Sequence, residues 1–246
     1  MTGRSRTRVA AAAAVAALTL SACAALPTAP PPLPDTFVPE VAAATPGPAI
    51  PVGDDGFTSV ERIALRVSVM TCEKYGNGSA WVLDENTAVT NRHVIEGALE
   101  IGLTSYDGRH YTATSSVLSE TADLALVHID GTFPETASIA DSGPAARDVL
   151  HVVGYPEGGR LTSTAGSYTG TTPETIETGQ DDVYELDAPI EPGNSGSPVV
   201  DEVGDVVGVA YAAGAAGWSY AVTLDSLTHF LETESAQVPN EAECEW

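Results

Sequence analysis

The chain has 246 residues, enough for one large all-β unit or two small domains, and its 43% hydrophobic content supports a buried core. It is strongly acidic, with 34 Asp and Glu against 10 Lys and Arg, and Arg4, Arg6 and Arg8 hold three of those cations within the first eight positions. A phosphate backbone is repelled by such a surface, so nucleic acid is excluded as a partner, and the acidity reads as solvation.

The N-terminus opens with a basic stretch, then an apolar run, then small residues: MTGRSRTRVAAAAAVAALTLSAC. That three-part pattern is a secretory signal peptide over 1–22, and the run is too short for a membrane-spanning helix, which needs roughly 20 apolar residues. LSAC, Leu20 to Cys23, resembles the bacterial lipobox. The resemblance implies that Cys23 carries lipid and anchors the chain to the bacterial cell membrane on its extracytoplasmic side; the alternative is a plain secreted protein. Three cysteines leave one unpaired in an exported protein. With Cys23 lipid-modified, Cys72 and Cys244 remain as a pair that an oxidising compartment favours; the alternative is two free thiols.

Residues 23–56 are rich in proline and sustain no hydrophobic period, which reads as a disordered, semi-rigid tether. At about 3.1 Å per residue it reaches on the order of 90 Å. From about residue 57 short apolar runs alternate with turn signals: IALRVSVM, GSAWVLD, TAVTNRHVI, LALVHI, DVLHVVGYP, DVYELDA and others. Ten or more short β-branched segments at this spacing indicate an all-β barrel or sandwich. EVGD reads as a hairpin turn in which Val203 is an unusual occupant, and GTFPETASIADSGPAARD as a connector between two β halves. Only LDSLTHFLE has helical spacing, with Leu224, Leu227 and Leu231 on one face.

PGNSGSP, residues 192–198, places Ser195 among turn residues. For a serine to act as a nucleophile the chain must also supply a base, a carboxylate that fixes the base's tautomer, and donors for the developing oxyanion. Of five histidines, His93 ends an apolar strand and enters a turn; His110, His128, His151 and His229 read as ordinary surface or core residues. Asp123 opens an apolar strand, with Asp107 and Asp130 as competitors.

TNRHVI, ADLALV and PGNSGSPVVDEVGDVVGV resemble, in that order, the three catalytic blocks of trypsin-like (chymotrypsin-fold) serine proteases. The texture is nearest to HtrA/DegP-type protease domains, through DAPIEPGNSGSP and VGYP, and the serine block is also similar to bacterial glutamyl endopeptidases. The resemblance implies an all-β fold of two six-stranded antiparallel β-barrels with a short C-terminal helix. The protease domain would span 57–235, with barrels at about 57–135 and 145–225 and a tail at 236–246. It further implies that Ser195 is the nucleophile, His93 the general base and acid, Asp123 the orienting carboxylate, and that the N–H groups of Gly193 and Ser195 form the oxyanion hole. The implied partner is a polypeptide substrate, with no cofactor and no metal, and a monomer is expected. No PDZ domain follows the protease unit in this sequence, and Arg92 stands before the histidine where a smaller residue is common.

The implied specificity pocket has Pro189 at its base and a wall over Val209, Ala210, Tyr211, Ala212 and Ala213. No acid stands at Pro189, which argues against cleavage after Lys or Arg, and Ala210 replaces the histidine of glutamate-specific enzymes. A small or medium apolar preference is expected. Two other readings stand beside this one. An α/β-hydrolase needs G-x-S-x-G followed by a helix, whereas Ser197 and PVV stand here. A catalytically silent binding or sensing module keeps the fold without the chemistry.

Overall fold

The computed structural model describes residues 50–173, 182–214, 217–242 and 244. The expected signal peptide, Cys23 and the tether up to residue 49 lie outside the described residues. The fold begins at a reciprocal cap: Thr58 Oγ1 accepts from Glu61 N–H and the Glu61 carboxylate accepts from Thr58 N–H, which starts α1 (Ser59–Ile63).

Six strands then close the first barrel: β1 (Ala64–Met70), β2 (Tyr75–Val82), β3 (Thr87–Thr90), β4 (Glu100–Ser105), β5 (His110–Ser119) and β6 (Ala125–Ile129). Each pairs antiparallel with its neighbours, and the β5–β6 pairing completes the ring. A short helix, α2 (Arg92–Ile95), follows β3. The second barrel closes through β7 (Val149–Gly154), β8 (Thr162–Pro173), β9 (Asp182–Asp187), β10 (Pro198–Val200), β11 (Val206–Ala213) and β12 (Ser219–Thr223). Two closed six-stranded antiparallel barrels are what the family resemblance implies. The connector between them makes one isolated bridge, Ile139 to Val206.

Each barrel is filled by the apolar side of its strands. Leu150, Val152, Leu186, Ala188, Val199 and Ala210 form the core of the second. A larger cluster runs from Leu65, Val67, Trp81 and Leu103 in the first barrel to Val153, Tyr155 and Val200 in the second, so apolar contact is continuous between the barrels. The EVGD turn is organised by Asp201, whose Oδ1 accepts from the N–H groups of Val203, Gly204 and Asp205. That carboxylate satisfies the turn backbone and leaves the Val203 side chain exposed, so valine is tolerated there.

After β12 comes α3 (Leu224–Glu232), capped by Thr223. Its buried side chains are Leu224, Leu227 and Phe230, with Leu231 only half-buried, so the core-facing stripe is turned one position from the Leu224–Leu227–Leu231 face read from sequence. Residues 236–246, expected as a tail, contain β13 (Gln237–Pro239), which adds to β5 as a seventh strand of the first sheet. Cys244 forms a disulfide with Cys72, just past β1.

Candidate active site

The three sequence blocks arrive from three elements. His93 lies in α2, directly after β3. Asp123 lies in the turn between β5 and β6, shaped by Ser119, whose Oγ accepts from the N–H groups of Thr121 and Ala122. Ser195 lies in the loop before β10.

Asp123 is 2% exposed and grips His93 twice: Oδ1 accepts from the His93 backbone N–H at 2.9 Å, and Oδ2 meets His93 Nδ1 at 2.6 Å. The first contact fixes the start of α2 and the second fixes the ring, so the carboxylate acts on the histidine through backbone and side chain together. With Nδ1–H donating to Asp123, the neutral ring keeps Nε2 as a proton acceptor. Asn91, fully buried, donates from Nδ2 to the Asp123 carbonyl at 2.7 Å and holds the turn from below. The His93 side chain is 49% exposed, so the pair opens on solvent. Arg92 faces away, pairing with Glu96 one turn later and donating to the Ser119 carbonyl, which accommodates a large residue before the histidine.

The rivals stand elsewhere. Asp107 accepts from Ser105 Oγ within its own loop, and that bond holds its carboxyl below the usual range. Asp130 is exposed. His110, His128 and His229 each meet a nearby threonine hydroxyl.

The serine loop is set by peptide orientation. In a trans peptide, C=O and N–H point in opposite directions. The Pro192 carbonyl accepts from Glu157 N–H, and the Asn194 carbonyl accepts from Ser197 N–H at 2.9 Å. The N–H groups of Gly193 and Ser195 therefore point away from these anchors, and among the described residues neither meets an acceptor. Backbone N–H groups left without an acceptor beside a serine can receive an oxyanion. Gly193 has φ 96°, and a Cβ there would stand 2.6 Å from both Glu157 N and Tyr155 O; Gly196 has φ 88°, with Ser79 O only 2.0 Å from its would-be Cβ. Glycine is required at both by conformation and by space.

Beneath the loop lies a buried residue that the sequence reading did not single out. Ser79 Oγ donates to the Gly193 carbonyl at 2.7 Å and accepts from Tyr155 N–H at 2.9 Å, while Ser79 N–H donates to the Ser195 carbonyl. A short polar residue inside the apolar run SAWVL is the signal that could have found it. Tyr155 is buried beside it, and burial pushes its hydroxyl up to about 12.

Ser195 Oγ donates to the Tyr211 carbonyl at 3.2 Å. Tyr211 occupies a register shift in β11, between the pairs Ala210–Ala221 and Ala212–Tyr220. Among the described residues Ser195 Oγ makes no hydrogen bond to His93. Of the expected pocket residues, Pro189 and Ala213 are exposed, Tyr211 is buried beside Ser195, and Val209 and Ala210 are fully buried in the two cores. The side chain of Ala212 lies outside the described residues.

A model of the trypsin-like peptidase domain matches residues 78–209, which contain His93, Asp123 and Ser195. Serine protease Rv3671c of Mycobacterium tuberculosis is 27% identical over 193 residues, covering 73% of this chain and 47% of that protein. Serine protease HTRA4 of Mus musculus is 32% identical over 163 residues, covering 63% and 34%. The chain thus spans less than half the length of the curated relatives it matches. Among solved structures, the active form of the M. tuberculosis Rv3671c protease superposes with TM-score 0.66 at 24% identity, over 74% of this chain and 84% of that one. The HtrA-type protease AlgW with a tripeptide superposes with TM-score 0.64 at 27% identity, over 73% and 64%.

Proposed function

Since the chain belongs to the trypsin-like peptidase domain family, we propose that it is a serine endopeptidase working through His93, Asp123 and Ser195. The observation that carries the reading is the double hold of Asp123 on His93, which presents Nε2 as a base.

In the reaction Ser195 Oγ leaves Tyr211, turns about its Cα–Cβ bond and attacks the scissile carbonyl carbon. Its proton passes to His93 Nε2, and the imidazolium is stabilised by Asp123. The carbonyl oxygen becomes an oxyanion received by the N–H groups of Gly193 and Ser195. Collapse expels the amine, which takes the proton from His93, and leaves an acyl ester on Ser195. Water, deprotonated by His93, then repeats the sequence and frees Ser195. Each lost oxyanion donor costs roughly 3 kcal/mol of transition-state stabilisation.

The substrate is an extracytoplasmic polypeptide, cleaved after a small or medium apolar residue. Lipid on Cys23 holds the enzyme to the bacterial membrane by way of the Pro-rich tether. The test is labelling with a fluorophosphonate probe, with the adduct located by mass spectrometry. Labelling of Ser195 that disappears in Ser195→Ala and His93→Ala is expected. A folded protein that takes no probe and cleaves no peptide is the silent binding module instead. Radiolabelled fatty acid incorporated by the wild type and not by Cys23→Ala checks the anchor.

A further inference from the structure

β13 and the residues that flank it meet the two elements that carry the His–Asp pair. β13 runs along β5 with Gln237 opposite Ser119, Val238 opposite Leu118 and Pro239 opposite Val117. At one end the Ala236 carbonyl accepts from Glu120 N–H, inside the turn that carries Asp123. At the other end Asn240 reaches the far end of α2. Its Oδ1 accepts from Gly97 N–H at 3.0 Å, and its Nδ2 donates to the Ile95 carbonyl at 2.8 Å and to Ser116 Oγ at 3.1 Å. Its own N–H donates to the Ser116 carbonyl at 3.0 Å.

The helix held in this way is short. α2 has four residues and no side-chain bond at its N-cap, and a helix of that length has almost no stability of its own. Its position depends on what grips its two ends. Asp123 grips the start, through His93 N–H. Asn240 grips the finish, through donor and acceptor together. Four residues beyond Asn240, the Cys244–Cys72 disulfide ties the same segment to the end of β1.

We propose that Asn240 is a positioning residue for catalysis. By clamping the Ile95–Gly97 end of α2 it fixes the angle at which His93 meets Asp123, and the Ala236–Asn240 segment registers the helix against the Asp123 turn. The inference rests on the serine-endopeptidase reading for its consequence in rate, but not for its consequence in geometry. Asn240 touches no reacting atom, and it acts through α2.

The test compares Asn240→Leu, which removes all three side-chain bonds, with Asn240→Asp, which keeps the acceptor for Gly97 N–H and turns a carboxylate toward the Ile95 carbonyl. Ser116→Ala, which breaks only the bond that does not reach α2, is the control. Three quantities are read: kcat and KM on a peptide substrate, the NMR resonance of the His93 Nδ1 proton, and thermal stability. Expected are a kcat lowered by up to about 100-fold in Asn240→Leu with KM unchanged, as for other small displacements of a catalytic group, and a smaller loss in Asn240→Asp. The His93 proton signal should broaden or shift in both, and Ser116→Ala should match the wild type. An Asn240→Leu protein with wild-type kcat and an unaltered His93 signal overturns the proposal. So does a rate loss that Ser116→Ala reproduces at equal loss of stability, which would mark a merely structural contact. Should Asn240→Leu fail to fold, Asn240→Asp against Ser116→Ala carries the same comparison. A wild type that turns over no substrate would sink the endopeptidase reading, and the His93 resonance would still decide the role of Asn240.

Discussion

Gly154, at the end of β7, offers a sharp test of how the serine loop is supported. A Cβ placed on it would stand 1.9 Å from Ser197 Oγ, 3.0 Å from Ser197 Cβ and 2.7 Å from Ser79 Oγ. Its φ is not positive, so Gly154→Ala is a steric perturbation with no backbone penalty. Adding one methyl to a packed core costs roughly 1–3 kcal/mol. Displacing Ser79 Oγ from the Gly193 carbonyl adds about 1 kcal/mol for the lost hydrogen bond. The total of roughly 2–4 kcal/mol corresponds to a Tm lower by about 4–16 °C for a domain of this size. The second change is Ser197→Gly, which removes the nearest obstacle and leaves the Ser79 contact. Thermal denaturation of the two single variants and the double should show a favourable coupling of about 1 kcal/mol or more. Turnover should fall in Gly154→Ala beyond what stability explains, because Ser79 holds the Gly193 and Ser195 carbonyls, each in the peptide next to one that carries an oxyanion donor. Additive stabilities, or a Gly154→Ala enzyme of full activity, would refute this account of the packing beneath the loop.

Asp123→Asn should keep the fold but lower kcat about 10,000-fold at neutral pH, because an amide cannot favour the tautomer that leaves Nε2 as base; a loss below about tenfold in turnover assays removes Asp123 from that role. The Cys72–Cys244 bridge spans 172 residues, so chain entropy sets its contribution at about 5 kcal/mol. Denaturant melts of the Cys72→Ser/Cys244→Ser variant should show a loss approaching that figure, and an unchanged midpoint would count against it. Tyr155 should be un-ionised until about pH 12, held there by burial. Its folded value lies above the unfolded one, so the stability it lends is complete below about pH 10 and drains away as pH rises toward 12. Tyr155→Phe should flatten that alkaline fall, which chemical denaturation across the range would register. Asp55 is held low by Arg62. The contribution is present above the ordinary carboxylate range and disappears as pH falls through the lower folded value, so Asp55→Asn should lose stability at neutral pH and match the wild type in strong acid.

Barrel strands were legible because alternating β-branched residues carry their burial locally: IALRVSVM and LALVHI read as strands, and all but their first residues form β1 and β6. The blocks around His93, Asp123 and Ser195 were legible as family motifs because each keeps its pattern within a few consecutive residues. What escaped was held together across the chain. Ser79 serves Gly193 from 114 positions away, and Asn240 serves Ile95 from 145. A hydrogen bond of that range leaves no period in either partner's neighbourhood. β13 is three residues ending in proline, too short to alternate, and it exists because β5 offers it an edge. The register shift at Tyr211 is likewise a property of β11 and β12 together, invisible in YAAG alone. The stripe of α3 is also set by packing against the rest of the fold: Phe230 is wholly buried and Leu231 only half-buried.

The placing of β13 has a consequence in time. The barrel that carries His93 and Asp123 is drawn from the first half of the chain, yet its seventh strand emerges more than a hundred residues after the sixth. Contacts so distant in sequence form late in folding. While the chain is still being synthesised, the histidine and its carboxylate can be made and even paired, but the strand that registers one against the other is still to arrive. On the endopeptidase reading, competence for hydrolysis is thereby postponed until β13 has been delivered, and an incomplete chain is a poor protease toward its own unfolded remainder.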